Sequence, residues 1–160
     1  RITVSTAGVA KMIRQLGDDQ VRFNLALSLH APTDKKRNEI MPINDTNDIK
    51  TLIEALNYFY EKTKNEITLE YIVFNKFNDS LEDARELYEF AKGIPCKINL
   101  IEYNPIAQSS FVNAEADAIA KFSAFLESKR MIVNIRRSRG RDIDAACGQL
   151  AGKKAPVVDA

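Results

Sequence analysis

The chain has 160 residues, 45% of them hydrophobic and 28% charged, which is enough for about one ordinary domain with a real core. Its 23 basic and 22 acidic residues leave a net charge of +1, so no overall field draws it to nucleic acid or membrane, and any such attraction must come from a local cluster. The longest apolar runs fall far short of a membrane span, and two cysteines, Cys96 and Cys147, make no disulfide framework, a pattern compatible with a reducing cytoplasm.

The chain opens RITVSTAGV without an initiator Met and enters an apolar β-branched run at once, which leads to the expectation of a domain cut from a longer protein. ITVST (2–6) reads as a strand and is followed by helical spacing over VAKMIRQL (9–16). FNLALSL (23–29) is a second strand, with a long helix predicted over DIKTLIEALNYFYEKTK (48–64). ITLEYIVF (67–74) leads into SLEDARELYEFAKG (80–93), a helix that Asp79 or Ser80 can cap and that stops at Gly93, just before Pro95. KINLIEY (97–103), a helix over AEADAIAKFSAFLESK (114–129) and a last strand, IVNIRR (132–137), complete the series. Alternation of this kind predicts an α/β fold with parallel pairing and right-handed crossovers. The mostly apolar runs predict strands buried on both faces. About four βα units are too few for an eightfold barrel and suit an open sheet equally well, but in either case ligands bind at the carboxyl ends of the strands.

Those ends carry Ser5 and Thr6, then Ser28 and His30, then Asn75, Asn78 and Asp79, then Asn104. Caps and turns favour Ser, Asn and Asp in any fold, so the set argues for a binding site more strongly than any one member does. His30 is the sole histidine and suits a general base, a donor to a ligand or a ring that orients its own loop; without a second His, a nearby Cys or an acidic pair, a metal-ligand role is weak. Cys96 follows Pro95 at the start of a strand, where a cysteine behaves as a small buried hydrophobe. Cys147 differs. It stands in Asp144-Ala145-Ala146-Cys147-Gly148-Gln149, with no bulky neighbour to bury its sulfur. Arg136, Arg137, Arg139 and Arg141 precede it and favour a thiolate, against the opposing pull of Asp142 and Asp144. The same arginines suit either a phosphate backbone or a solvated face.

The ordered set RITVSTAGV, LALSLHAP, MPIN, PCKINLIEYNP and RGRDIDAACGQLAG resembles the radical S-adenosylmethionine (SAM) enzymes of the RlmN type, which methylate C2 of an adenine in 23S ribosomal RNA and, for some members, act on transfer RNA. The similarity runs from Arg1 to about Lys153, so that 1–153 is expected to be the C-terminal part of a radical SAM catalytic domain and 154–160 a flexible tail. It implies a partial parallel βα barrel of the radical SAM type, here about four βα units with a C-terminal strand and loop. It also implies SAM contacts at Ser5, at Ser28, Leu29 and His30, and at Asn104. Cys147 matches the family's methyl-carrying cysteine, which takes a methyl group from SAM and presents it to the RNA. A second SAM, cleaved reductively at a 4Fe-4S cluster with an electron donor, supplies the radical in this family. The chemical need is clear, because C2 of adenine lies between two ring nitrogens and is too electron-poor to attack the SAM methyl group directly.

Departures from the family pattern matter equally. The motif CxxxCxxC is absent, so no metal ligand is expected in this chain; the second catalytic cysteine, the acidic GE pair and the RNA-contacting N-terminal domain are missing too. IAQSSF stands after Asn104-Pro105 where members carry a Gly-containing loop. The isolated chain is therefore expected to be inactive. Alternatives are a related enzyme acting at C8 of the same adenine, a non-catalytic SAM- or RNA-binding module, and an unrelated βα enzyme that uses His30 as a base.

Overall fold

A computed structural model of the protein describes residues 2–105 and 109–137. The described strands are β1 (Thr3–Thr6), β2 (Asn24–Ser28), β3 (Ile67–Val73), β4 (Cys96–Glu102) and β5 (Val133–Arg136), and they pair in parallel in that same order. The crossovers contain α1 (Ala10–Asp18), α2 (Asp34–Ile40) with a 3-10 turn (Pro42–Asp45), α3 (Ile49–Thr63), α4 (Leu81–Ala91) and α5 (Ala116–Ser128). A sheet wound in chain order without reversal is one wall of a βα barrel; a doubly wound sheet turns back at a switch point. The expected four βα units and final strand are present, and β1 and β5 stand at the two edges.

Local sequence explains where the helices begin and end. Asp48 caps α3 by accepting from the Thr51 N–H at 2.9 Å, and Lys64 closes it in the left-handed region at φ 55. Of the two candidate caps for α4, Ser80 takes the role: its hydroxyl accepts from the Asp83 N–H while the Asp83 carboxylate accepts from the Ser80 N–H, a reciprocal capping box. The helix α5 starts two residues later than its periodicity predicts, because Asn113 bridges to Phe74 at the end of β3 and holds that stretch extended. Neither α2 nor the 3-10 turn is predicted by hydrophobic spacing, since the buried residue of α2 is an arginine, Arg37.

The core lies between the sheet and the helices. Leu25 and Leu27 of β2, Ile67, Leu69, Tyr71 and Val73 of β3, and Ile98 and Leu100 of β4 are fully buried against Ile13, Leu52, Leu56, Phe59, Leu87 and Phe122. The Tyr71 and Phe122 rings lie 5.2 Å apart, and burying side chains of this size stabilises the fold by roughly 1.5–3 kcal/mol each. The other face of the sheet corrects the expectation of strands apolar on both sides. Pairing register aligns Ser5, Ala26 and Thr68 in one row there and Ser28, Glu70, Asn99 and Asn134 in the next. This parallel sheet thus presents a largely polar surface away from its helices, as the wall of a binding cavity does.

Candidate functional site at the carboxyl ends of the strands

The strand ends lie side by side at one end of the sheet. Ser5 is exposed on the helix-free face and Ser28, on the neighbouring strand, is partly buried on the same face. Thr6 is committed to a turn, its hydroxyl accepting from the Gly8 N–H at 3.1 Å. Leu29 is fully buried with its side chain in the core; its N–H donates to the Glu70 carbonyl and its own carbonyl accepts from Arg37 Nε.

Arg37 is a site residue that sequence reasoning missed. Its guanidinium, fully buried, donates from Nε to Leu29 O at 3.1 Å, from Nη2 to Ala7 O at 2.7 Å and Ser28 O at 3.1 Å, and from Nη1 to Asn44 Oδ1 at 3.1 Å. Asn44 in turn donates to Asp34 Oδ1 at 2.8 Å and Asn38 Oδ1 at 2.7 Å. Burial lowers the Arg37 pKa to about 10, partly offset by Asp34, so the group stays cationic at neutral pH. The available signal was the MPIN stretch, whose asparagine is the one that holds the arginine.

His30 sits in the left-handed region at φ 59, a conformation that non-glycine residues adopt at a cost and histidine more readily than most. That turn lets its ring Nδ1 accept from the Ile72 N–H at 3.0 Å while its own N–H donates to Glu70 O at 3.2 Å. Burial, and secondarily the Arg37 charge, hold its pKa at about 4. The ring is therefore neutral at physiological pH, with the proton on Nε2, which has no protein partner among the described residues. With its lone pair directed at Ile72, His30 is a donor and not a general base, which removes the support for a βα enzyme using it in that role.

Asn78 is consumed by structure. Fully buried, it donates to His30 O and Ile72 O, both at 2.8 Å, and accepts from the Phe74 N–H at 2.7 Å, tying the end of β2 to the end of β3. Asp79 accepts from the Lys76 N–H, and the Asn75 N–H donates to Val112 O, so the segment around Val112 folds back over the end of β3.

Asn104 ends the row differently. It is 6% exposed, yet among the described residues its Oδ1 has no hydrogen-bond partner, and the neighbouring Tyr103 hydroxyl is likewise buried and unsatisfied there. Unpaired buried acceptors are rare in finished structures, and here one stands where a ligand was expected. The Phe74 ring walls this corner, 4.8 Å from Tyr103 and 4.4 Å from Phe111.

The groups SAM needs fit this set: it carries amino and hydroxyl donors for Asn104 and acceptors for the His30 Nε2–H and the serines. No group of three or more His, Cys, Asp or Glu able to hold a metal occurs among the described residues. Cys96 is half-buried, its thiol pushed up to about 12 by burial, which suits the inert role expected of it. Arg136 ends β5 and Arg137 follows it, both exposed; Arg139, Arg141, Cys147 and the tail after Lys153 lie outside the described residues. A cavity of about 310 Å³ opens elsewhere, between Ile49 and Ile53 of α3 and Glu82, Glu86 and Phe90 of α4. No described helix is long and apolar enough to cross a membrane.

No family model matches the chain. Among curated proteins it is 60% identical over 154 residues to one from Cytophaga hutchinsonii, covering 96% of this chain and 42% of that protein. It is 52% identical to one from Christiangramia forsetii, covering 97% and 44%, and 43% identical to one from Staphylococcus aureus, covering 98% and 43%. Each of the three is named "Probable dual-specificity RNA methyltransferase RlmN". Among solved structures, a radical SAM methyltransferase from Sphaerobacter thermophilus superposes with a TM-score of 0.90 at 38% identity, over 93% of this chain and 44% of that one. A domain of pyruvate-formate lyase-activating enzyme from Bacteroides vulgatus shares the fold at a TM-score of 0.64 and 12% identity, over 84% of this chain and 80% of that one. In sequence and in backbone, this chain is similar to proteins named as RlmN-type RNA methyltransferases and to a radical SAM methyltransferase, and it spans a little under half the length of those it matches.

Proposed function

We propose that this chain is part of a cytoplasmic radical SAM methyltransferase that methylates C2 of an adenine in 23S ribosomal RNA, with transfer RNA as a further substrate, through a methyl group carried on Cys147. The observation that carries the reading is the acceptor of Asn104, orphaned among the described residues, at one of the strand ends where the family resemblance and the fold both expect a SAM contact. Ser5, Ser28 and the His30 Nε2–H stand at the neighbouring ends and would hold the same molecule. When bound, SAM and a 4Fe-4S cluster supply the methyl group and the radical chemistry; the cluster's cysteine ligands are not in these 160 residues, and reduction needs an electron donor.

The chain's own residues bind, orient and carry. A neutral His30 would donate to the bound molecule without adding a positive charge to a site that takes a cationic cofactor. Cys147 accepts a methyl group on sulfur and holds it for the RNA base, and its setting among small residues suits a sulfur that must serve more than one reaction. Arg136, Arg137, Arg139 and Arg141 give the RNA phosphates a local cation cluster that the chain's net charge does not provide.

The test is to reconstitute the full-length enzyme with its cluster, supply SAM labelled in the methyl group together with ribosomal RNA, and digest the RNA to nucleosides. Labelled 2-methyladenosine is expected. Labelled 8-methyladenosine would select the C8-directed relative instead, and an enzyme that holds cluster and SAM but labels no adenine would overturn the reading. The 160-residue chain alone is expected to transfer nothing.

A further inference from the structure

A buried arginine usually faces a carboxylate, because an unpaired charge out of water is costly. Arg37 does not: among the described residues no carboxylate lies within ion-pair distance, and Asp34, whose charge is felt from further off, is linked to it by hydrogen bonds through Asn44. Its partners are instead backbone carbonyls. Ala7 O leaves the end of β1, while Ser28 O and Leu29 O leave the end of β2, and all three converge on one planar fork. The backbone is shaped to admit it: Gly8 lies at φ 108, and a Cβ there would stand 3.1 Å from Arg37 Nη2. Asn44 fixes the remaining nitrogen, and its own amide is held by Asp34 and Asn38.

The carbonyls so gripped belong to two separate segments, and each segment holds groups assigned above to SAM. Ala7 is two residues from Ser5; Ser28 and Leu29 immediately precede His30. We propose that Arg37 is a positioning residue for the SAM site, its guanidinium setting the separation and tilt of the Ser5 segment relative to the Ser28–His30 segment. Lysine is a poor substitute, since an ammonium is a point charge without the fork that spans two strands. This inference rests on the SAM reading of the strand ends.

The experiment uses full-length enzyme and measures SAM Kd by equilibrium dialysis, RNA Kd by filter binding and thermal unfolding, for wild type, Arg37→Lys and Asn44→Ala. The clamp predicts that Arg37→Lys raises the SAM Kd about tenfold and Asn44→Ala about threefold, with the RNA Kd unchanged in both. A merely structural arginine predicts lower melting temperatures with wild-type SAM Kd below the melt, and that result overturns the proposal. Should Arg37→Lys fail to fold, Asn44→Ala decides, because it keeps the arginine but releases the Nη1 contact that holds the fork in its orientation; an unchanged SAM Kd there overturns the proposal equally. Wild-type enzyme that binds no SAM removes the reading beneath the clamp, a failure distinct from a variant that binds as wild type does.

Discussion

Asn78→Ala tests whether the strand ends are locked by one side chain. In the wild-type protein that side chain satisfies three buried backbone groups, the carbonyls of His30 and Ile72 at 2.8 Å each and the Phe74 N–H at 2.7 Å. Alanine removes all three partners from a fully buried position. Each group left unsatisfied costs about 1–3 kcal/mol, and carbonyls relax more easily than an N–H, so the expected loss is about 3 kcal/mol or more. Asn78→Asp keeps the acceptor but turns both donors into a carboxylate oxygen facing two carbonyls, and it should be at least as damaging at neutral pH. Urea unfolding followed by circular dichroism reads the change as a lower midpoint at unchanged slope. Amide exchange at Phe74 should accelerate in parallel. A loss under about 1 kcal/mol for Asn78→Ala would mean that the ends of β2 and β3 are held together by something other than this clasp.

Three further outcomes are expected. His30 has a folded-state pKa of about 4 against an ordinary 6.5, so the unfolded chain binds the extra proton between these values: stability is full above pH 6.5, falls as pH drops toward 4 and then levels off. At about 1.4 kcal/mol per tenfold in proton concentration the full loss comes to about 3.5 kcal/mol, and a His30→Gln variant whose stability keeps the same pH slope in that window would contradict the assignment. Gly8→Ala forces a Cβ to 3.1 Å from both Arg37 Nη2 and Leu52 Cδ2 at a φ of 108, and a melt should show a loss of roughly 1–3 kcal/mol; an unchanged melting temperature would mean that the turn relaxes freely. In full-length enzyme, Arg137→Ala with Arg139→Ala should weaken RNA binding and lower the slope of log K against log salt by about 2, whereas an unchanged slope removes both from the phosphate contacts.

The βα alternation was legible because the strands are short apolar runs and several helix starts and stops carry an ordinary signal: Ser80 with Asp83, Asp48 before α3, Gly93 and Pro95 after α4. What escaped notice has a physical reason in each case. The helix α2 has no apolar stripe, and its buried residue is Arg37, which pattern reading assigns to solvent. The polar face of the sheet hides within runs that look apolar, because a period of two mixes Ser28, Glu70 and Asn99 with the leucines and isoleucines of the core. Asn78 and Asn104 are indistinguishable as letters at strand ends. Only their hydrogen bonds separate them, the first with every polar atom engaged and the second with an acceptor left over. His30 was likewise open between a base, a donor to a ligand and a ring that orients its own loop until Ile72 claimed its lone pair, a contact that orients the loop and leaves Nε2–H as a donor.

The central claim is that this chain supplies the sulfur on which the methyl group travels. Peptide mass spectrometry on the full-length enzyme purified from its producing cells, compared with Cys147→Ala, addresses it directly. The account predicts a methyl-sized mass increment on the wild-type peptide that contains Cys147 and no such increment at that position in the variant. An unmodified Cys147, in enzyme shown to hold both its cluster and SAM, would contradict it.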